Sequence, residues 1–168
     1  MKTKFGIYYI SGLSPAASVI AHHIMANFPL LEAHLAGPLE VPLTAWDSYR
    51  GQYDIHFLLE NLVIPDDYDF IIWLINGDIG DSWHPYLFGA AGYKKAVVSN
   101  ARLGTIEELA KEACHEIGHL VGLKHCCRHD CLMHTSWTEK EVRNKLFGLC
   151  EKCRQSMIKE HDALKNVL

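Results

Sequence analysis

His115-Glu116-Ile117-Gly118-His119-Leu120-Val121-Gly122-Leu123-Lys124-His125 is the stretch from which the rest of the chain is read. Histidines four residues apart project from one face of a helix, close enough to bind one tetrahedral ion. His115 and His119 have that spacing. Gly122 can take the left-handed conformation that ends a helix and turns the chain so that His125 returns to the same point. Three protein ligands leave a fourth position for water, whose pKa zinc lowers to about 7, and Glu116 beside the first ligand can accept its proton. The pattern predicts a catalytic zinc in a hydrolase.

Upstream, Thr105 to Glu108 has the T-x-x-E form of a capping box, so the helix is expected to start there. Ile106, Leu109, Ala110, Ala113, Ile117, Leu120 and Val121 recur at helical spacing as one apolar stripe. In projection His115 and His119 lie nearly opposite that stripe, so they are expected to face away from the core, toward a cleft.

Earlier in the chain, Phe5 to Ile10 reads as a buried strand and Ser14-Pro15 as the start of a helix running to about Asn27. Leu30 to Leu43, with Pro38 and Pro42, reads as extended segments with turns. Ile55, Leu58, Leu59 and Leu62 form a helical stripe, and the near-continuous apolar run Asp69 to Ile75 marks a strand covered on both faces. Asn76 to Asp81 reads as a solvated turn, since its acidic spacing lacks an EF-hand pattern. Ser82 to Gly89 reads as an edge strand lining a cleft, and Ala96 to Ser99 as a further short strand. Strand, helix, strand, helix, strand implies an α/β (α+β) layer: a mixed twisted sheet with covering helices.

The chain has 168 residues, 49% of them hydrophobic, which suits one compact domain. A net charge of -4 provides no field to draw it to nucleic acid or an anionic membrane. The basic, apolar start Met1 to Ile10 lacks a clean small-residue cleavage site and reads as a strand, not a secretion signal. No apolar run approaches the roughly 20 residues that span a bilayer, so a cytoplasmic protein is expected.

In such a compartment six cysteines suggest metal before disulfides. Cys126, Cys131, Cys150 and Cys153 form two close pairs separated by a linker, which suits a closed site of four thiolates. By chemistry alone Cys127 can stand in for Cys126. Cys114, at the margin of the apolar stripe, reads as a buried small hydrophobe. His129 and His134 lie near the ligands and read as supporting or surface groups. From Glu139 to about Leu164 charged and apolar residues alternate at helical spacing, with Cys150 and Cys153 inside the run.

H-E-x-x-H-x-x-G-x-x-H resembles the zinc-binding consensus of the metzincin metalloproteases, and Met133 stands where their downstream methionine turn would be. More narrowly, His125-Cys126, Cys131-Leu132-Met133 and Cys150-Glu151-Lys152-Cys153 resemble the archaemetzincin family. The chain departs from that pattern by a single residue, with 16 residues between Met133 and Cys150. The resemblance implies a metzincin-like single domain over 1–168, with an N-terminal lobe of about 1–122 and a small zinc-stapled C-terminal lobe of about 123–168. It implies two Zn2+ ions, one catalytic on His115, His119 and His125 and one structural on the four cysteines. It favours Cys126 over Cys127, and it makes Met133 a hydrophobic base rather than a ligand.

Together these readings predict a monomeric zinc metallopeptidase acting on a peptide or protein substrate, with Glu116 as general base. A peptide would add to the edge at Ser82 to Gly89, and Thr135-Ser136-Trp137 would wall a pocket. The alternative is a non-catalytic zinc protein that binds proteins or peptides, against which the intact Glu116 speaks. A zinc-ribbon nucleic-acid module is disfavoured by the acidic charge.

Overall fold

The computed structural model describes residues 2–165, with side chains through 160. Residues 1 and 166–168, and the side chains of 161–165, lie outside the described part, and with them the expected boundary at 168. In chain order, Thr3–Tyr9 is β1, Ser14–Asn27 is α1 and Leu31–Pro38 is β2. Pro15 occupies the first turn of α1, where its missing N–H removes no helical bond. Trp46–Asp47 and Gln52–Asp54 form β3 and β4, and Asp54 caps α2 (Ile55–Asn61) by accepting from the Phe57 amide. Phe70–Ile75 is β5, buried along its whole length, followed by β6 at Ile79–Gly80, β7 at Gly89–Ala91 and β8 at Lys95–Ser99.

The main sheet runs β2-β1-β5-β8-β7, parallel throughout except for the antiparallel edge β7. Because β5 is central and covered on both faces, its sequence has no polar alternation. A small second sheet, β3-β4-β6, lies beside it, and Ile79 bridges to Leu87.

The edge strand is shorter and later than the sequence suggests, at Gly89–Ala91 instead of Ser82 to Gly89. The cause is local. Asp81 accepts from the backbone N–H groups of Trp83 and His84, folding that segment into a turn, and Pro85 has no N–H to give a ladder. The turn at Asn76 to Asp81 is also less solvated than expected. Asp78 is clasped by Arg102 at 2.7 Å, and Asp81 is buried.

Ile106–Leu120 forms α3, which packs against α1, β7 and β8. The expected capping box is present: Thr105 Oγ1 accepts from the Glu108 amide, and Glu108 accepts from the Thr105 amide. The histidine face looks away from the sheet and onto a cleft, as read, but it is not an exposed face: every residue from Glu108 to Gly118 is buried. The periodicity finds the face packed on the sheet. The opposite face is covered by the segment around 131–145: Lys111 Nζ donates to the Arg143 carbonyl and His115 Nδ1 to that of Leu132.

The helix ends as read. Gly122 has φ +90, and two reversed bonds, Leu123 N–H to Gly118 C=O and Gly122 N–H to His119 C=O, form a Schellman motif. The helical run expected from Glu139 is broken into α4 (Glu139–Asn144) and α5 (Glu151–Lys165). Between them the backbone bonds sideways: Leu146 N–H goes to Asp130 C=O and Gly148 C=O accepts from Leu132 N–H. Those bonds tie the linker to the cysteine loop and deliver Cys150 to the start of α5.

Candidate metal centres and active-site cleft

His115 and His119 come from the last turns of α3, and the Schellman turn brings His125 back beside them. His119 Nε2 lies 3.2 Å from His115 Nε2 and 3.1 Å from His125 Nε2. Tetrahedral zinc with nitrogen ligands at 2.0–2.1 Å sets neighbouring nitrogens about 3.3 Å apart, so the three atoms fit one ion. The other ring nitrogens fix the tautomers, His115 Nδ1 donating to Leu132 C=O and His119 Nδ1 to Leu123 C=O, both at 2.9 Å. Each Nε2 therefore presents a lone pair to the common point. Burial first, then the neighbouring Lys145 charge, holds His115 well below the usual imidazole range. His119 and His125 are lowered too, by burial above all. Neutral imidazoles are what metal ligation needs.

The four-thiol set is likewise assembled. Cys126, Cys131, Cys150 and Cys153 converge, and Cys126 Sγ lies 3.8 Å from Cys150 Sγ. Sulfur ligands at about 2.3 Å around a tetrahedral ion stand about 3.8 Å apart, so this set fits zinc as well. All six cysteines are free thiols. Cys127 is exposed and outside the cluster, which leaves Cys126 as the member from that pair. Cys150 is pulled down to about 7, burial being outweighed by the Cys153 amide and the surrounding thiols. Cys114 is fully buried, and burial pushes its thiol up, as a small core residue would show. His129 and His134 pair with each other at 3.0 Å, and His134 Nδ1 donates to the Cys126 carbonyl.

Met133 is fully buried against the helix: a Cβ added at Gly118 would collide with its sulfur. Three consecutive residues thus serve both centres, Cys131 in the thiol cluster, Leu132 orienting His115, and Met133 beneath Gly118.

The histidines open on a cleft of about 500 Å³, walled by Tyr86, Phe88, Gly89 and Trp137 among others. Glu116 is buried at its floor, its carboxyl raised well above the usual range by burial and then by Glu112, against the pull of Lys145. The edge strand comes so close that a Cβ on Gly89 would lie 2.9 Å from Glu116 Cγ, which only glycine avoids. Thr135, Ser136 and Trp137 line the cleft as expected. Tyr86 Oη donates to the Trp137 carbonyl at 2.6 Å, His84 stacks on Trp137, and Arg102 lies 4.1 Å over the Tyr86 ring. Sequence reasoning missed His84, Glu112 and Lys145. Glu112 had a signal, standing one helical turn before Glu116; Lys145 had none.

Residues 92–159 match the description Peptidase family M54. An archaemetzincin of Nanoarchaeum equitans is 35% identical over 124 residues, covering 73% of this chain and 72% of its own. The chain belongs to the archaemetzincin family. It is accordingly a zinc metallopeptidase by family, a hydrolase of peptide or protein substrates. The archaemetzincin crystal structure from Methanopyrus kandleri superposes with a TM-score of 0.87 at 27% identity, over 96% of each chain. That from Archaeoglobus fulgidus, a malonate complex, gives 0.82 at 29% identity, over 92% of this chain and 99% of its own. Among the described residues no helix is long and apolar enough to cross a membrane.

Proposed function

We propose that the chain hydrolyses peptide bonds at a zinc held by His115, His119 and His125, with Glu116 as the general base. The observation that carries this is the convergence of three Nε2 atoms beside a buried carboxylate in an open cleft. Zinc held there supplies a Lewis acid that polarises a carbonyl and brings the pKa of a water to about 7. Glu116 takes a proton from the attacking water and passes it to the leaving amine nitrogen. Leu132 and Leu123 carbonyls keep His115 and His119 in the ligating tautomer throughout.

The substrate main chain is read as an added strand on the outer edge of β7, which has no further strand beside it among the described residues. Trp137, held by Tyr86 and stacked on His84, then walls a side-chain pocket. In the same reading a second, structural zinc on Cys126, Cys131, Cys150 and Cys153 staples α5 to the Met133 segment, in a C-terminal lobe of about 123–168 set against a lobe of about 1–122. Met133 forms the apolar base of the histidine centre. The six unpaired thiols support a reducing, cytoplasmic setting, and a monomer completes the reading.

The test is incubation of the zinc-loaded chain with a diverse peptide library. New termini at defined positions are expected; tight zinc-dependent binding of peptides without cleavage would instead favour the non-catalytic alternative.

A further inference from the structure

His84 stands in the wall of the cleft, and its ring is fixed from behind. The buried Asp81 carboxylate accepts from the backbone N–H groups of Trp83 at 2.8 Å and His84 at 2.7 Å, and from the His84 ring at Nδ1, 2.9 Å away. Burial would raise that carboxyl, but these donors outweigh it and leave it below the ordinary aspartate value. A carboxylate only accepts, so the proton of the neutral imidazole sits on Nδ1 and Nε2 carries a lone pair. The backbone on either side of the ring is tied as well. Arg50 Nη2 donates to the His84 carbonyl at 3.1 Å, and Gln52 Nε2 to that of Pro85 at 2.8 Å. In front, the ring stacks on Trp137 with centroids 6.1 Å apart and planes at 23°. His84 and Trp137 both line the cleft onto which His115, His119 and His125 open.

Nε2 of His84 makes no hydrogen bond among the described residues, and the chemistry assigned to Glu116 does not use it. The fold therefore holds one acceptor at a set place in a wall otherwise built of Pro85, Tyr86, Phe88 and Trp137. Pockets of this kind take an apolar body and read its tip with a few placed polar groups. One lone pair matches one donor. An ammonium brings three donors and a guanidinium five, and those left over would face an aromatic wall unpaired. A phenol brings a single donor, on a flat body suited to packing against Trp137.

We propose that His84 is a specificity-determining residue: its Nε2 accepts a hydrogen bond from the phenol of a substrate tyrosine that lies against Trp137. This rests on the reading of the cleft as the peptide site. Asp81 is the positioning residue behind it, keeping the proton on Nδ1.

The probes are alanine hexapeptides with tyrosine or phenylalanine placed in turn at each central position. They are bound to the zinc-loaded Glu116→Gln chain, so that hydrolysis does not intervene. At one position tyrosine should bind about 3–10-fold more tightly than phenylalanine, the worth of one hydrogen bond. His84→Asn, whose amide still donates to Asp81, and His84→Phe, which keeps a ring on Trp137, should each bring that ratio to about 1. A histidine that merely braced the turn would leave the ratio intact. In nitrogen-15 spectra of the labelled chain, the Nε2 resonance of His84 should move with the tyrosine peptide and stay in place with its phenylalanine twin. Equal or undetectable binding of the two at every position, or a tyrosine preference that survives both substitutions, overturns the proposal. Hydrolysis is judged separately on the unmodified chain. Cleavage without a tyrosine preference defeats only the role of His84; a preference that depends on His84, without cleavage, defeats only the peptidase reading.

Discussion

Met133 lies so close under Gly118 that no side chain can stand on the helix at that point. Gly118→Ala is therefore expected to push Met133 aside and cost about 1–3 kcal/mol, the range for overpacking a filled core. A lower urea midpoint at an unchanged slope would register it. Zinc affinity at the histidines should fall with it, because Leu132, whose carbonyl orients His115, is the neighbour of Met133. Equal stability of the two proteins would mean that the contact constrains nothing.

Glu108 gives the fold a pH dependence. Burial raises its pKa, but Arg143 and the Gly104 and Thr105 amides outweigh burial, leaving it below the ordinary glutamate value. A carboxyl lowered in the folded state contributes stability above its unfolded pKa and loses it as pH falls through the folded value. Since Arg143 is largely exposed and screened, the contribution is about 1 kcal/mol. The stability gap between the unmodified chain and Glu108→Gln should be widest near neutrality and close as the pH drops below the glutamate range. A gap that widens on acidification would contradict the assignment.

The thiol cluster is expected to hold one metal independently of the histidines. Replacing Cys150 and Cys153 together by serine should remove one of two zinc equivalents. It should also speed amide exchange at the start of α5, where Cys153 and Met157 are the buried anchors. Loss of both equivalents would show that Cys131-Leu132-Met133 transmits the damage to His115.

Trp137 is mostly exposed in the free protein yet fixed at its carbonyl by Tyr86 and stacked on His84. As a pocket wall it should contribute to substrate binding more than to the chemical step. Trp137→Ala is expected to raise KM by about 3–10-fold with kcat little altered, the pattern of lost uniform binding. A fall in kcat alone would place Trp137 elsewhere in the mechanism.

Much of this was legible in the sequence because the signals were local. The T-x-x-E cap, the His115–His119 spacing and Gly122 each dictate geometry within a turn or two of chain. The unbroken apolar run at Phe70 to Ile75 needs no tertiary information to read as a covered strand. What escaped depended on contacts across the fold. One-sided periodicity cannot foresee that residues around 131–145 cover the polar face of α3, nor that Lys145 is buried against Glu112. The helical pattern after Glu139 is genuine, but sideways bonds from Leu146 and Gly148 interrupt it. At Ser82 to Gly89 the carboxylate of Asp81 competes for the backbone amides, and the strand begins only at Gly89. Spacing alone could not choose between Cys126 and Cys127, of which only Cys126 joins the thiol cluster.

The central claim is that Glu116 is the general base of a zinc peptidase, and a peptide cleaved by the zinc-loaded chain tests it through Glu116→Gln. The variant keeps the size of the residue and leaves His115, His119 and His125 untouched, so it should retain its zinc while kcat falls by about 100-fold or more. Turnover equal to that of the unmodified chain, with zinc bound in both, would contradict the account.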